Sequence, residues 1–200
     1  MINFDFSTDY ILEDEIVRLR PLVITDFEHL LEYSVNEPDN WKFNSGGPAG
    51  AENLKVYIDK AVKNRQDTKE YPFIVFSKIV NKYVGCTRFY NIDFERRIME
   101  VGWTWYGKAY QGTGINKNCK YLLFDFAFSK LDMERIGLGA NSKNERSING
   151  MKGVGCTVEG IMRSRGYDAN GERMDSIFLS ILKNEWENEW RDQLKSKTLK

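Results

Sequence analysis

The sequence is short of the residues that build metal sites and disulfide frameworks. One histidine, His29, and three cysteines, Cys86, Cys119 and Cys156, are spread over 200 residues. Three cysteines cannot all pair with one another, and no two stand in a C-x-x-C spacing. A zinc site would need unusual ligands from so small a set, so no metal is expected. An excess of one charge is missing too, since Lys+Arg and Asp+Glu each number 29. A nucleic-acid binder usually carries a basic excess, so nucleic acid is not the expected partner, although a local basic groove is compatible with this balance. Long apolar runs are also lacking. The most apolar stretch, Tyr121 to Phe128, is too short to cross a bilayer and contains Asp125. The first ten residues show no basic segment followed by an apolar one, so no signal peptide is expected. These absences predict a cytoplasmic protein with reduced thiols and no membrane partner.

The residues present suit a folded globular chain: 42% are hydrophobic and 29% charged, which excludes extensive disorder. The length predicts one domain over 1–200, with 183–200 as a C-terminal helix and tail. Ile16 to Leu22 alternates apolar and basic residues, as a half-buried strand does. Thr25-Asp26-Phe27-Glu28 fits a capping box opening a helix to about Val35, with His29 on it as an ordinary surface residue. Asn44 to Gly50 is loop chemistry. Glu52 to about Arg65 predicts a second helix. Strands over Phe73–Phe76, Tyr83–Tyr90 and Ile98–Tyr106, separated by turns, predict an antiparallel meander. Asn116 to Leu131 repeats apolar residues at helical spacing. A short strand, Arg135–Ala140, a helix from Ser142 to about Val154, and strands Val158–Arg165 and Asp175–Leu182 follow. The two strands bracketing the Asn116–Leu131 helix form a βαβ unit and should be parallel neighbours. The predicted class is α+β, a mixed, mostly antiparallel sheet.

Three segments carry candidate chemistry. The turn from Trp105 through Gly112, Thr113 and Gly114 to Asn116 places glycines at a helix start, where backbone N–H groups can bind phosphate. It matches neither a P-loop nor a dinucleotide fingerprint, and an ordinary glycine-rich connection is the alternative. Asn144 and Ser147 share one helix face, either as site residues or because one caps the helix. Glu100 lies on the Trp-rich strand, exposed by simple alternation or facing a cleft as a candidate base. Gly137 and Gly139 leave one strand face bare, for a ligand or for packed aromatics. Trp186 and Trp190, four apart, are expected to anchor a closing helix.

In order, Val17-Arg18-Leu19-Arg20-Pro21-Leu22, Val84 to Phe89, Glu100-Val101-Gly102-Trp103-Thr104-Trp105, Gln111-Gly112-Thr113-Gly114, Asn144-Glu145-Arg146-Ser147, Gly155 to Gly160 and Gly171 to Ser176 resemble the GNAT superfamily of acyl-CoA-dependent N-acetyltransferases. The likeness is to its RimJ/RimL branch of ribosomal-protein N-terminal acetyltransferases and spans roughly Ile16 to Trp186. It implies a twisted sheet with helices on both faces and a central βαβ unit for acetyl-CoA. In that implied site the N–H groups of Gln111, Gly112, Thr113, Gly114, Ile115 and Asn116 hold the pyrophosphate. The pantetheine arm pairs with the strand carrying Trp103, Trp105 and Tyr106, and Asn144 contacts CoA. Two positions depart from the family pattern. Asn116 replaces the last small residue of the loop, which crowds the cradle or adds a contact. Met151 stands where many members carry a tyrosine acid, leaving Ser147 as the nearest polar replacement.

The resemblance implies direct acetyl transfer to a primary amine, with Glu100 accepting its proton. An α-amine with a pKa of about 8 is appreciably neutral near pH 7.5, whereas a lysine at about 10.4 is roughly 0.1% neutral. The acceptor is a small-molecule or peptide amine, and its surface is expected from Asn44–Gly50 and the 165–175 connection. The chain is expected to act as a monomer or homodimer. An acyl-CoA-binding module with little turnover is the alternative, kept open by Asn116 and Met151.

Overall fold

The computed structural model describes residues 4–43 and 46–198. Eight strands form one sheet in the order β1-β2-β3-β4-β5-β6-β8-β7. They are β1 (Leu12–Glu13), β2 (Val17–Pro21), β3 (Glu70–Ser77), β4 (Lys82–Asp93), β5 (Ile98–Tyr106), β6 (Arg135–Asn141), β7 (Thr157–Tyr167) and β8 (Arg173–Leu182). Among the described residues only β5 and β6 run parallel, and every other pairing is antiparallel. The class is therefore the α+β mixed sheet that the residue patterns predict, including the meander β3-β4-β5.

Alternation along the strands feeds two cores. In β3, Phe73 and Val75 face one layer and Ile74 the other, and all three are fully buried. The first layer holds α3 (Ile115–Asp125) and the C-terminal helical segments Lys183–Glu185, Trp186–Trp190 and Arg191–Thr198. The second holds α1 (Phe27–Asn36) and α2 (Ala51–Gln66), which contribute Leu30, Leu54 and Ile58 against Ile74, Cys86 and Trp105. In α2 the buried Leu54, Ile58 and Ala61 recur at spacings of three and four, the pattern that turns one stripe of a polar helix inward. Cys86, Cys119 and Cys156 are buried and unpaired, as small core residues.

Several boundaries differ from the expectation. The capping box is not Thr25 with Glu28, which are both exposed. The chain makes a 3-10 turn at Ile24–Asp26, and Asp26 accepts the Val23 N–H at 2.9 Å and the Arg20 guanidinium at 2.9 and 2.6 Å. A two-pronged, charge-assisted bond to the neighbouring strand outweighs a neutral hydroxyl cap. The long amphipathic helix starts one residue early, at Ile115, and finishes in a π-helical turn, Phe126–Lys130. The next helix, α4, is shorter than expected, Glu145–Lys152, because Asn144 caps it.

Trp186 is fully buried against Tyr121, Phe124 and Phe128, with ring centroids 5.8 to 6.0 Å apart. Trp190 is only partly buried against the same core. Trp186→Ala is expected to cost about 3–5 kcal/mol of unfolding free energy, the usual loss for a large buried ring. Trp190→Ala should cost distinctly less, and urea unfolding of the two variants side by side checks the order.

Candidate functional site

The site is set by where β5 and β6 stop pairing. Their parallel register runs Ile98↔Arg135, Met99↔Ile136 and Glu100↔Gly137, and then ends. No residue of β5 beyond Glu100 pairs with β6, although both strands continue, to Tyr106 and Asn141. On its other side β5 stays paired with β4. A gap therefore opens between two strands of one sheet, with Glu100 at the fork.

Glu100 faces a cleft of about 230 Å³ lined also by Asn91, Ile98, Gly137 and Phe178. Asn91 donates to Glu100 Oε1 at 3.0 Å. A Cβ on Gly137 would stand 3.1 Å from Glu100 Cγ, so the missing side chain gives the glutamate room. Tyr90 sits directly across from Glu100 in the β4–β5 register. Burial, and then the Glu100 charge, hold the Tyr90 hydroxyl well above its ordinary ionisation range.

β5 is irregular beyond the fork. Its register with β4 shifts between Cys86 and Arg88, and Trp103 takes a positive φ of 51°, a strained setting for a bulky residue. The residue is 41% exposed, and its ring covers the Arg88 guanidinium at 4.7 Å. Arg88 in turn pairs with Glu70 at 2.6 Å and lies over Tyr57. Trp105 and Tyr106 are buried in opposite layers, so toward the gap they can offer only backbone.

Beyond β5, the glycine turn leads into α3. Gly112 and Gly114 hold positive φ values of 77° and 92°. A Cβ on Gly112 would meet nothing within 4 Å, and one on Gly114 only Asn118 Nδ2 at 4.0 Å. The space is open, and α3 has no side-chain cap. The N–H groups of Gly112, Thr113, Gly114, Ile115 and Asn116 donate to nothing among the described residues. Five successive free donors at a helix start suit an anion. The side chains here serve to fix the turn. Gln111 Nε2 donates to Asn40 Oδ1 at 2.8 Å and to the Tyr106 carbonyl at 2.9 Å, while Arg146 of α4 donates to Gln111 Oε1. Thr113 Oγ1 donates to the Tyr110 carbonyl at 2.8 Å. Ile115 is buried. Asn116 Oδ1 accepts from Tyr106 Oη at 3.4 Å.

On α4, Asn144 Oδ1 accepts the Ser147 N–H at 3.2 Å, so the capping alternative holds for Asn144. Ser147 is half-buried and its hydroxyl has no partner among the described residues. Met151, one turn on, is buried in the core. A second cleft, of about 230 Å³, lies between the 165–175 connection and Lys42–Phe43, near Asn141. Asn141 is four residues along β6 from Gly137, so the 165–175 connection borders this cleft and not the one at Glu100, and no described residue of Asn44–Gly50 lines it. Asn44 and Ser45 lie outside the described residues.

One buried group escaped the sequence analysis. Lys120 is 4% exposed on the sheet-facing side of α3 and donates to Thr104 Oγ1 at 3.0 Å. Its signal was a lysine three and four residues before Leu123 and Phe124, in the middle of an apolar stripe. Burial pushes its ammonium down from 10.5 to about 8, opposed by Cys119 and Cys156. Those two thiols are pushed up to about 12 by burial, so they are neutral near pH 7.

A parallel strand pair that parts at a glutamate thus leads on to a glycine turn whose N–H donors are free among the described residues. The GNAT acetyltransferase domain family matches residues 17–157, and the chain belongs to that family. It is 33% identical over 181 residues to the Bacillus subtilis (strain 168) protein YdaF, whose name provisionally makes it a ribosomal N-acetyltransferase; the match covers 88% of this chain and 96% of that one. In fold it is similar to a T. thermophilus protein provisionally assigned as an acetyltransferase, with TM-score 0.84 and 24% identity over 98% of this chain and 99% of that one. It is likewise similar to the microcin C7 self-immunity acetyltransferase MccE, solved with acetyl-CoA and AMP, with TM-score 0.73 and 21% identity over 84% and 93% of the two chains. Among the described residues no cluster of His, Cys, Asp or Glu could hold a metal, and no helix is long and apolar enough to cross a membrane.

The Lys120 environment has a measurable cost. Between pH 8 and 10.5 the unfolded chain keeps a proton that the folded chain has released, so this group makes stability rise with pH across that window. Below it, folding carries the whole desolvation cost of the ammonium. In the ligand-free protein Lys120→Met should therefore raise the melting temperature at pH 7, and the gain should shrink as pH approaches 10.5. Thermal melts at several pH values check the sign.

Proposed function

We propose that the protein transfers an acetyl group from acetyl-CoA to a primary amine by direct attack, and that residues 1–200 act as one acyltransferase domain closed by the helix from 183. The observation that carries this is the end of the β5–β6 register at Glu100↔Gly137, which leaves an unpaired strand edge running from a carboxylate to a row of free N–H donors. The residues present fit the cofactor: the positive-φ glycines leave open the space that phosphate would fill, and the edge can pair with an extended amide chain as another strand would.

The free N–H groups from Gly112 to Asn116 hold the pyrophosphate at the start of α3, and Asn144, whose Nδ2 is left over from capping, contacts CoA. The edge from Trp103 to Tyr106 pairs with the pantetheine amides, and its N–H groups polarise the thioester carbonyl. Bound acetyl-CoA supplies the activated acetyl group. Glu100, held by Asn91, accepts the proton of the attacking amine directly or through water, assistance typically worth about 10²–10⁴ in rate. The free hydroxyl of Ser147 hydrogen-bonds the departing thiol, the role that Met151 cannot fill. The likeness to YdaF, by name a ribosomal N-acetyltransferase, favours a protein amine as acceptor, with a small-molecule amine as the second choice.

A panel of peptide N-termini and small amines, read by free-thiol release from acetyl-CoA, tests the reaction. Gly114→Val should raise the acetyl-CoA KM by about tenfold or more, as expected for losing a hydrogen bond to a charged ligand. Unchanged affinity in a folded variant would falsify the pyrophosphate placement. Glu100→Gln should lower kcat and recover activity at higher pH, where more amine is already neutral. Full activity with an unaltered pH profile assigns Glu100 to structure. Ser147→Ala should cost roughly tenfold in kcat, with acetyl-CoA affinity little changed.

A further inference from the structure

Lys120 is buried without a counter-ion. Its ammonium meets Thr104 Oγ1 at 3.0 Å, and Thr104 in turn lies 2.8 Å from Thr87 Oγ1. The ionisable groups facing it are the thiols of Cys119, on its own helix, and Cys156, ahead of β7. No ion pair to a carboxylate is present among the described residues. One hydroxyl satisfies one of its three donors. A buried charge left in this state is costly and is normally paired.

Its place in the fold suggests what pairs it. Thr104 belongs to the stretch of β5 that has lost β6 as a partner. Lys120 also stands six residues into α3 from Gly114, about 9 Å along the axis from the anion-binding turn. The phosphates held at that turn are thus too far to neutralise it. Along β5 its contact, Thr104, falls between Glu100 and Tyr106, on the strand whose free edge the thioester limb would pair with. That limb is neutral until the carbon–sulfur bond breaks.

We infer that Lys120 is a further catalytic residue, whose ammonium stabilises the negative charge that develops on the CoA sulfur as acetyl is transferred. This rests on the acetyl-transfer reading. As the nitrogen–carbon bond of the product forms, the carbon–sulfur bond breaks and its electron pair leaves on sulfur. The amine proton goes to Glu100, and Lys120 keeps its own proton while donating a hydrogen bond to the thiolate, which takes a proton from water after release. Ser147 supplies a neutral hydroxyl to the same sulfur, and Lys120 supplies the charge. A group preset in a dry site needs no rearrangement when the charge appears. The cost of the unpaired ammonium in the ligand-free protein is the counterpart of this preset charge.

The test reads the thiol of bound CoA, which needs no turnover. Wild type, Lys120→Met and Lys120→Arg are saturated with CoA, and the ultraviolet absorbance of the thiolate is followed against pH. Bound CoA should ionise about one pH unit or more lower on wild type than on Lys120→Met, the size of shift a nearby opposite charge produces, with Lys120→Arg in between. In turnover, Lys120→Met should lose about tenfold or more in kcat with an acetyl-CoA KM near wild type. Wild-type kcat should fall as pH passes about 8, where the ammonium is lost, and Lys120→Met should lack that fall. Identical thiol titrations for wild type and a folded Lys120→Met overturn the assignment, and so does a kcat loss without a titration shift. A wild type that lowers the CoA thiol pKa yet acetylates no amine leaves Lys120 in place and overturns acetyl transfer instead.

Discussion

The molecule is organised around a hydrogen-bond ladder that stops. For three residue pairs β5 and β6 behave as ordinary parallel neighbours, and then they part while both go on as strands. Unpaired backbone inside a protein is costly unless something satisfies it. The two layers have to tolerate the gap: α3 covers one face, and α1 and α2 cover the other. The β4–β5 ladder continues past the fork and keeps β5 from collapsing onto β6. Gly137 admits Glu100 at the vertex, the Gln111 amide ties the far end of β5 to the turn, and the exposed Trp103 sits on the distorted stretch between them.

Electrostatics divide along the same gap. One end carries a row of N–H dipoles without partners, the other a carboxylate, and between them a buried ammonium touches β5 from below. The donors and the ammonium belong to the start and middle of α3 and the carboxylate to β5, and the βαβ unit brings helix and strand together. Arg88, by contrast, is paired with Glu70 through Nη1 and lies over the rings of Tyr57 and Trp103.

Much of this was legible in the residues. The alternation from Ile16 to Leu22 gave β2, and the apolar spacing of Cys119, Leu123 and Phe126 gave α3, because burial on one side imposes a period. The glycine turn could be read because Gly112 and Gly114 have few other uses at a helix start. Glu100 was ambiguous: alternation allows both surface and cleft, and only the lost β6 pairing decides. The helix start at Thr25 was misread because Arg20, on another element, selects Asp26. Lys120 stayed hidden because a lysine in an apolar stripe usually reaches out to water with its ammonium, whereas here the sheet closes over it.

The gap also acts as a gauge. Hydrogen-bonded strands lie about 4.8 Å apart, so a ligand paired to both edges can occupy only about one further strand width. Such a slot admits molecules by cross-section before it tests their chemistry. A slender chain of amides and methylenes passes, and a branched or ring-bearing limb is turned away at the entrance. On the proposed reading, a donor would therefore be sorted by thickness before any side chain tests it.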